Sequence, residues 1–295
     1  MGRLPACLCL LLAAAIASPI AAAASDDPSG VEDAPARIVS LAPSITELIF
    51  ALNVGDRVVG VTDWCRHPAA VTELPSIGGH VDPNLEAVVA LRPDLAVVEA
   101  ANTEAAERLT RLGVEVCVVE HRHVEGILAS VLQVGEACGV VARAELLHAD
   151  LQRRLAAVAG RPASDPRPRT MIVVGREVSS GRLSDLYVAG AGTFLGDLLA
   201  LAGGDNVMPE SAVSYPMISA EGLLRLAPEV VIDLAPECAD DPQKLAELER
   251  AWRQHTDVPA VRAGRVHVVT DDALLIPGPR FVETLELLAS ILDAE

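Results

Sequence analysis

Two ungapped segments at an offset of 135 residues constrain this 295-residue chain more than any other feature. NLEAVVALRPDLAVV begins at position 84 and SAEGLLRLAPEVVID at 219, which superimposes Glu86 on Glu221, Leu91 on Leu226 and Pro93 on Pro228. The acids Asp94 and Glu229 coincide as well. Each segment reads as a short helix stopped by proline, which lacks the N–H that a helix interior needs, followed by an apolar run of the kind a parallel sheet buries on both faces. A chain carrying this unit twice is expected to fold into two lobes of one architecture. Glu86 and Glu221 then stand near the starts of equivalent helices, where the helix dipole favours a carboxylate and the side chain can stay in water.

Around these units, short β-rich runs alternate with helical patterns. RIVSL at 37, RVVGV at 57, DLAVV at 94 and VEVCVV at 114 fall in the first half; TMIVVG at 170, EVVID at 229 and RVHVV at 265 fall in the second. A helix over 44–53 opens on Ser44 and Glu47, the spacing of a capping box, and carries Ile45, Leu48, Ile49 and Leu52 on one face. The closing helix has the stripe Phe281, Leu285, Leu288 and Leu292. Between the halves, VARAELLHADLQRRLAAVAG from position 141 is rich in helix formers, so one continuous, stiff helix of roughly 28 Å is expected. The proline-rich RPASDPRPR ends it. The expected fold class is α/β, with two pseudo-symmetric Rossmann-like lobes, 37–140 and 162–295, joined by a single long backbone α-helix over 141–161.

Residues 1–24 read as a secretory signal peptide: one arginine, an apolar run from Ala6 to Ser18, then small residues up to Ala24. That run is shorter than the roughly 20 apolar residues that cross a bilayer. An exported chain with a polar leader over 25–36 and no membrane insertion is therefore expected. Export permits disulfides, but the spacing of Cys65, Cys117, Cys138 and Cys238 selects no pairing and matches no metal site. A net charge of −18 argues against nucleic acid, because a binder must supply cations to the phosphates. The single lysine, Lys244, leaves lysine-dependent chemistry one candidate.

In open α/β sheets ligands bind beyond the carboxyl ends of the strands, and the loops expected there hold the unusual residues. TDWCRHP carries Trp64 and His67, GGHVDPN carries His80, and HRH carries His121, Arg122 and His123. The long segment after TMIVVG carries Tyr187, VSYPMIS carries Tyr215, and VVTDDALLIPGPR carries Asp271, Asp272 and Arg280. Only seven residues are aromatic, yet Trp64, Tyr187 and Tyr215 lie outside the periodic core stripes. This placement points to a cleft for a large, partly apolar ligand. Trp252, in the helical ERAWRQH, is expected to sit apart from it. No G-x-S-x-G elbow, H-E-x-x-H or Walker loop is present. The competing reading from another class is an exported metal-dependent enzyme using His121 and His123 or the Asp271, Asp272 pair, though no third ligand has suitable spacing.

RIVSLAPSITELIFAL, VVGVTDWCRHP, NLEAVVALRPDLAVV, YPMISAEGLLRLAPEVVI and PGPRFVETLELL together resemble the class III periplasmic substrate-binding proteins of ABC importers, the helical-backbone metal receptors, and among them the cobalamin-binding branch. The resemblance extends over residues 37–293. It implies a monomeric periplasmic protein without catalytic residues, resident cofactor or metal. Such a protein holds cobalamin or a related corrinoid between two lobes and delivers it to an ABC importer permease dimer. Trp64 matches a ring that faces the corrinoid, Tyr215 an aromatic on the opposite lobe, and Asp272 lies near a cleft acid. Ser44, His80 and Tyr187 complete the expected ligand-binding set. His80 and Glu99 stand where that branch carries rings, and Ile276 where it has a polar contact. A ferric siderophore or haem on the same scaffold is the alternative ligand. Glu86 and Glu221 match the family's docking glutamates, which meet arginine pockets on the two permease subunits.

Overall fold

The computed structural model describes residues 34–293 apart from 163, 180, 210 and 212. The expected signal peptide, 1–24, and all but the last three residues of the leader lie outside the described residues.

The first lobe contains β1 (Ile38–Ser40), α1 (Pro43–Ala51), β2 (Val58–Gly60), α2 (Leu85–Ala90), β3 (Leu95–Glu99), α3 (Thr103–Arg111), β4 (Glu115–Val119) and α4 (Val124–Ala137). Its four strands are parallel in the order β2-β1-β3-β4. The connector α5 (Val141–Ala159) is one uninterrupted helix of 19 residues, as the absence of internal Gly and Pro predicts. The second lobe contains β5 (Arg169–Ser179), β6 (Arg182–Val188), α6 (Phe194–Leu201), β7 (Asp205–Asn206), β8 (Met217–Ser219), α7 (Ala220–Leu226), β9 (Val230–Leu234), α8 (Pro242–Arg253), α9 (Pro259–Arg262), β10 (Val266–Val269) and α10 (Phe281–Asp293).

Parallel pairing of β7, β5, β9 and β10 reproduces the order of the first sheet. The expected pseudo-symmetry is thus a matter of strand order as well as of sequence. The second sheet differs by two antiparallel strands, β6 and β8, at its edge. The segment after TMIVVG was expected to be a loop; it forms a hairpin instead, turning through Gly181 at a φ of +74°. Tyr187 accordingly sits in β6, paired with Gly175 and Met217, rather than in a loop.

The repeat is reproduced down to its hydrogen bonds. Asn84 and Ser219 cap α2 and α7 by accepting from the N–H groups of Ala87 and Gly222. Arg92 and Ala227, each preceding the matched proline, adopt left-handed backbone at φ +45° and +44°. Asp94 and Glu229 accept from the backbone N–H groups of Arg37 and Arg169, both at 2.9 Å. The two arginines in turn donate to Leu91 O and Leu226 O at the ends of the two helices. Since Arg37 and Arg169 stand at the starts of the central strands, each helix ends at the strand beginnings and must begin at the strands' carboxyl edge.

Alternate residues of the central strands face opposite sides, as a period of two requires. Ile38 and Ile172 enter a core that runs through both lobes and includes Ile45 of α1, Leu151 of α5 and Leu285 of α10. Val39 joins an outer core of the first lobe, and Met171 and Val173 one of the second. The expected stripe Phe281, Leu285, Leu288 and Leu292 is buried in the shared core. Helices α4 and α5 approach so closely that a Cβ on Gly135 would lie 2.1 Å from Ala144 Cβ. This contact and the Arg154–Glu286 ion pair, at 2.9 Å, anchor the connector along its length.

The expected capping box at the start of α1 is not formed. Ala42 is the N-cap residue and accepts nothing through its side chain, with Pro43 opening the helix. Ser44 and Glu47 turn to partners far away in the chain, Glu99 and Arg280. All four described cysteines are free, with Cys65, Cys138 and Cys238 buried.

Candidate functional site

Glu99 is the last residue of β3, and Glu120, His121 and Arg122 follow β4 directly. Together with Thr193 and Tyr215 from the second lobe they wall a cavity of about 270 Å³ between the lobes. It lies where the topology of an open α/β sheet predicts, at the carboxyl edge of the first sheet.

Its floor is a chain of buried polar groups. Ser44 donates to Glu99 Oε1 at 2.7 Å, and His121 Nδ1 lies 3.0 Å from the Ser44 hydroxyl oxygen. His121 Nε2 lies 2.8 Å from Ser130 Oγ, whose own hydrogen goes to Ile127 O. Burial alone would raise the Glu99 carboxyl, but hydrogen bonds from His121 and Ser44 and the nearby charges of His121 and His80 hold it below its ordinary value. Across the cavity, burial raises the Tyr215 hydroxyl, opposed by a hydrogen bond with Thr193 and by the Arg122 charge.

Polar contacts tie the two walls together. Arg122 Nε donates to Gly192 O at 3.2 Å, and Asp197 accepts from both His123 Nδ1 and the Val124 N–H at 3.1 Å. Beneath them, Arg280 binds both carboxylate oxygens of Glu47, at 2.9 and 2.5 Å. The Arg280–Glu47 pair, with a core continuous between the lobes, favours small relative movement over wide opening.

The residues expected at a ligand site separate into two groups. Tyr215 lines the cavity and Ser44 lies under it, committed to Glu99. Trp64 stands 60% exposed in the turn after β2 and does not line the cavity; nor does Tyr187 on β6. His80 is exposed, and its carbonyl accepts from Asn102 at 2.9 Å. Asp272 is exposed near Arg280, while Asp271 caps the following turn at Ala273. Glu86 and Glu221 are exposed in the first turns of α2 and α7, on the carboxyl edges of the sheets.

The expectation that His121 and His123 could share a metal fails on direction: one points to Ser44 and Ser130, the other to Asp197. No cluster of three or more potential ligating side chains occurs among the described residues. Sequence reasoning noted Glu99 only as a departure from an aromatic position and did not assign Glu120 or Arg122 to the site. The readable signal was their position, immediately at the ends of two apolar strands.

The sequence profile of the periplasmic binding protein family matches residues 38–273. A vitamin B12-binding protein of Pectobacterium carotovorum is 25% identical over 264 residues, covering 88% of this chain and 89% of its own. An uncharacterized ABC transporter substrate-binding lipoprotein of Bacillus subtilis is 28% identical over 273 residues, covering 90% of this chain and 82% of its own. The apo structure of a periplasmic haem-binding protein from Roseiflexus sp. RS-1 superimposes with a TM-score of 0.73 at 27% identity, covering 88% of this chain and 98% of that one.

Proposed function

The chain belongs to the periplasmic binding protein family, and from that premise we propose that it captures cobalamin or a related corrinoid between its lobes and delivers it to an ABC importer. The observation that carries this reading is the cavity between the lobes, where Tyr215 faces a wall of hydrogen-bonding groups. Its volume of about 270 Å³ suits one edge of a macrocycle rather than the whole. The remainder would lie across the mouth, toward the exposed ring of Trp64 on the same sheet edge. The near full-length likeness to a vitamin B12-binding protein supports the corrinoid, and the lipoprotein relative supports the importer.

Glu86 and Glu221 are the proposed docking knobs, one on each lobe, each exposed at the start of a capped helix on the cleft side. Arginine pockets on a permease would meet them in charge-assisted pairs. An acidic protein also gains encounter rate as it approaches a basic vestibule. For delivery of this kind the mature chain would act outside the cytoplasmic membrane, exported by residues 1–24, and as a monomer. No described helix is long and apolar enough to cross a membrane.

A haem or ferric siderophore is the second reading, favoured by the likeness to a haem-binding protein at the same overall fold. Titration of the purified chain with cyanocobalamin, dicyanocobinamide, haemin and a ferric siderophore, followed by tryptophan emission and absorbance, separates the readings. Saturable corrinoid binding is expected; binding of haemin or siderophore with no response to either corrinoid would replace the first reading by the second.

A further inference from the structure

We propose that Glu99 sets the ligand specificity of the cleft, selecting a ligand whose edge presents N–H donors, such as the primary amides of a corrinoid, and rejecting one whose edge presents carboxylates. The proposal rests on the corrinoid reading above and adds the group that distinguishes corrinoids from acid-bearing tetrapyrroles.

The geometry is one-sided. Glu99 Oε1 receives the Ser44 hydroxyl at 2.7 Å and lies 3.6 Å from His121 Nδ1. Oε2 accepts no hydrogen bond from any described residue, and Glu99, whose side chain is 24% exposed, lines the cavity. Because the Ser44 hydroxyl donates to it, the carboxyl is held as an acceptor, and an ionised carboxylate has no hydrogen of its own to offer. A ligand amide placed against Oε2 supplies the missing donor. A ligand carboxylate would set lone pairs against lone pairs in a partly dehydrated site, where an unpaired polar group is costly.

The other charges at the cavity do not cancel this preference. Glu120 is a second carboxylate on the same wall, with Oε1 engaged by the Arg122 N–H at 2.5 Å. The Arg122 guanidinium is held toward the second lobe by its bond to Gly192 O. His121 lies beneath Glu99, engaged by Ser44 and Ser130, and His80 acts on Glu99 through its field. Among the lining residues one guanidinium thus stands against two carboxylates.

The test measures affinities of the purified chain for dicyanocobinamide, whose ring edge carries amides, and for dicyanocobyrinic acid, which carries carboxylates on the same ring; haemin is a third probe. The wild-type chain is expected to prefer the amide corrinoid at least tenfold. Glu99→Gln, which offers a donor as well as an acceptor, should reduce that ratio at least fivefold and strengthen haemin binding, whereas Glu99→Asp should retain the preference. Thermal melts establish that both variants are folded, and the ratio of two affinities is insensitive to a uniform loss of active protein. Dicyanocobinamide binding with no preference, or a preference unchanged in Glu99→Gln, overturns the role of Glu99 and leaves the corrinoid reading intact. Failure of the wild-type chain to bind any corrinoid overturns that reading and this proposal with it.

Discussion

Arg280 and Glu47 form a two-armed ion pair between residues 233 positions apart, joining the first helix of one lobe to the residue that precedes the last helix of the other. The Glu47 side chain is 4% exposed and that of Arg280 20%. Removing one partner strands the other in a poorly hydrated place, whereas replacing both with apolar groups removes the stranded charge. Glu47→Ala is expected to destabilise the ligand-free protein by about 3 kcal/mol in urea denaturation. The double change Glu47→Leu, Arg280→Met should cost less than either single alanine change. A double variant as unstable as the sum of the singles would mean that the two residues act independently.

Trp64 and Trp252 are the only tryptophans, and their surroundings are opposite. Trp252 is buried, its indole N–H donating to Asp233 at 2.7 Å, while Trp64 is 60% exposed. A soluble quencher should therefore act on Trp64 and spare Trp252. Trp64→Ala should abolish most of the corrinoid-dependent emission change and weaken binding roughly tenfold, the loss of one stacked ring. Unchanged affinity would remove Trp64 from the site.

Glu86 and Glu221 are exposed and receive no side-chain partner among the hydrogen bonds and ion pairs of the described residues, so their replacement should leave the fold undisturbed. The double variant Glu86→Ala, Glu221→Ala is expected to bind ligand as the wild type does, yet to fail in supporting uptake by cells or in stimulating the reconstituted importer. Normal uptake would show that docking uses another surface.

Asp233 lies in the outer core of the second lobe, 2.9 Å from Arg176, with the Trp252 indole on its other oxygen. Burial pushes its carboxyl up to about 6, against the opposing pull of Arg176. An aspartate whose folded value exceeds its unfolded value of about 3.9 binds more protons when folded, so its contribution to stability falls as pH rises from about 4 to about 6. From this group the protein should be about 1 kcal/mol more stable at pH 5 than at pH 7. Asp233→Asn keeps an acceptor for Trp252 and should remove that increment. Urea unfolding of both proteins at the two pH values reads the difference, and equal slopes would place the titration elsewhere.

Features governed by near neighbours in the chain were legible in advance. The seven expected strands are present, and α5 follows from a run free of Gly and Pro. Strand β6 was not read because REVSSGRLSDLYV lacks a clean apolar alternation and its pairing depends on a sheet edge already in place, and β7 and β8, of two and three residues, are too short to show a period. For the same reason Tyr187 was expected in a loop. Much of the candidate site was similarly hidden: Tyr215 stands out as a rare aromatic, whereas Glu99, Glu120 and Arg122 are common surface residue types until β3 and β4 end side by side.

Ser44 and Glu47 mark the boundary between the two kinds of information. Their spacing is that of a local cap, and local bonding alone would have made them one. Folding instead brings Glu99 to Ser44 and Arg280 to Glu47, and charge-assisted bonds in a site shielded from water outweigh a solvent-exposed cap. Periodicity, proline stops and the 135-residue repeat specify two lobes, an uninterrupted connecting helix and a matched pair of acids from the sequence alone. Which polar groups pair across the cleft, which histidines diverge and which Glu99 oxygen has no donor among the described residues were settled by distance in space, because a buried polar group takes the partner that packing brings to it.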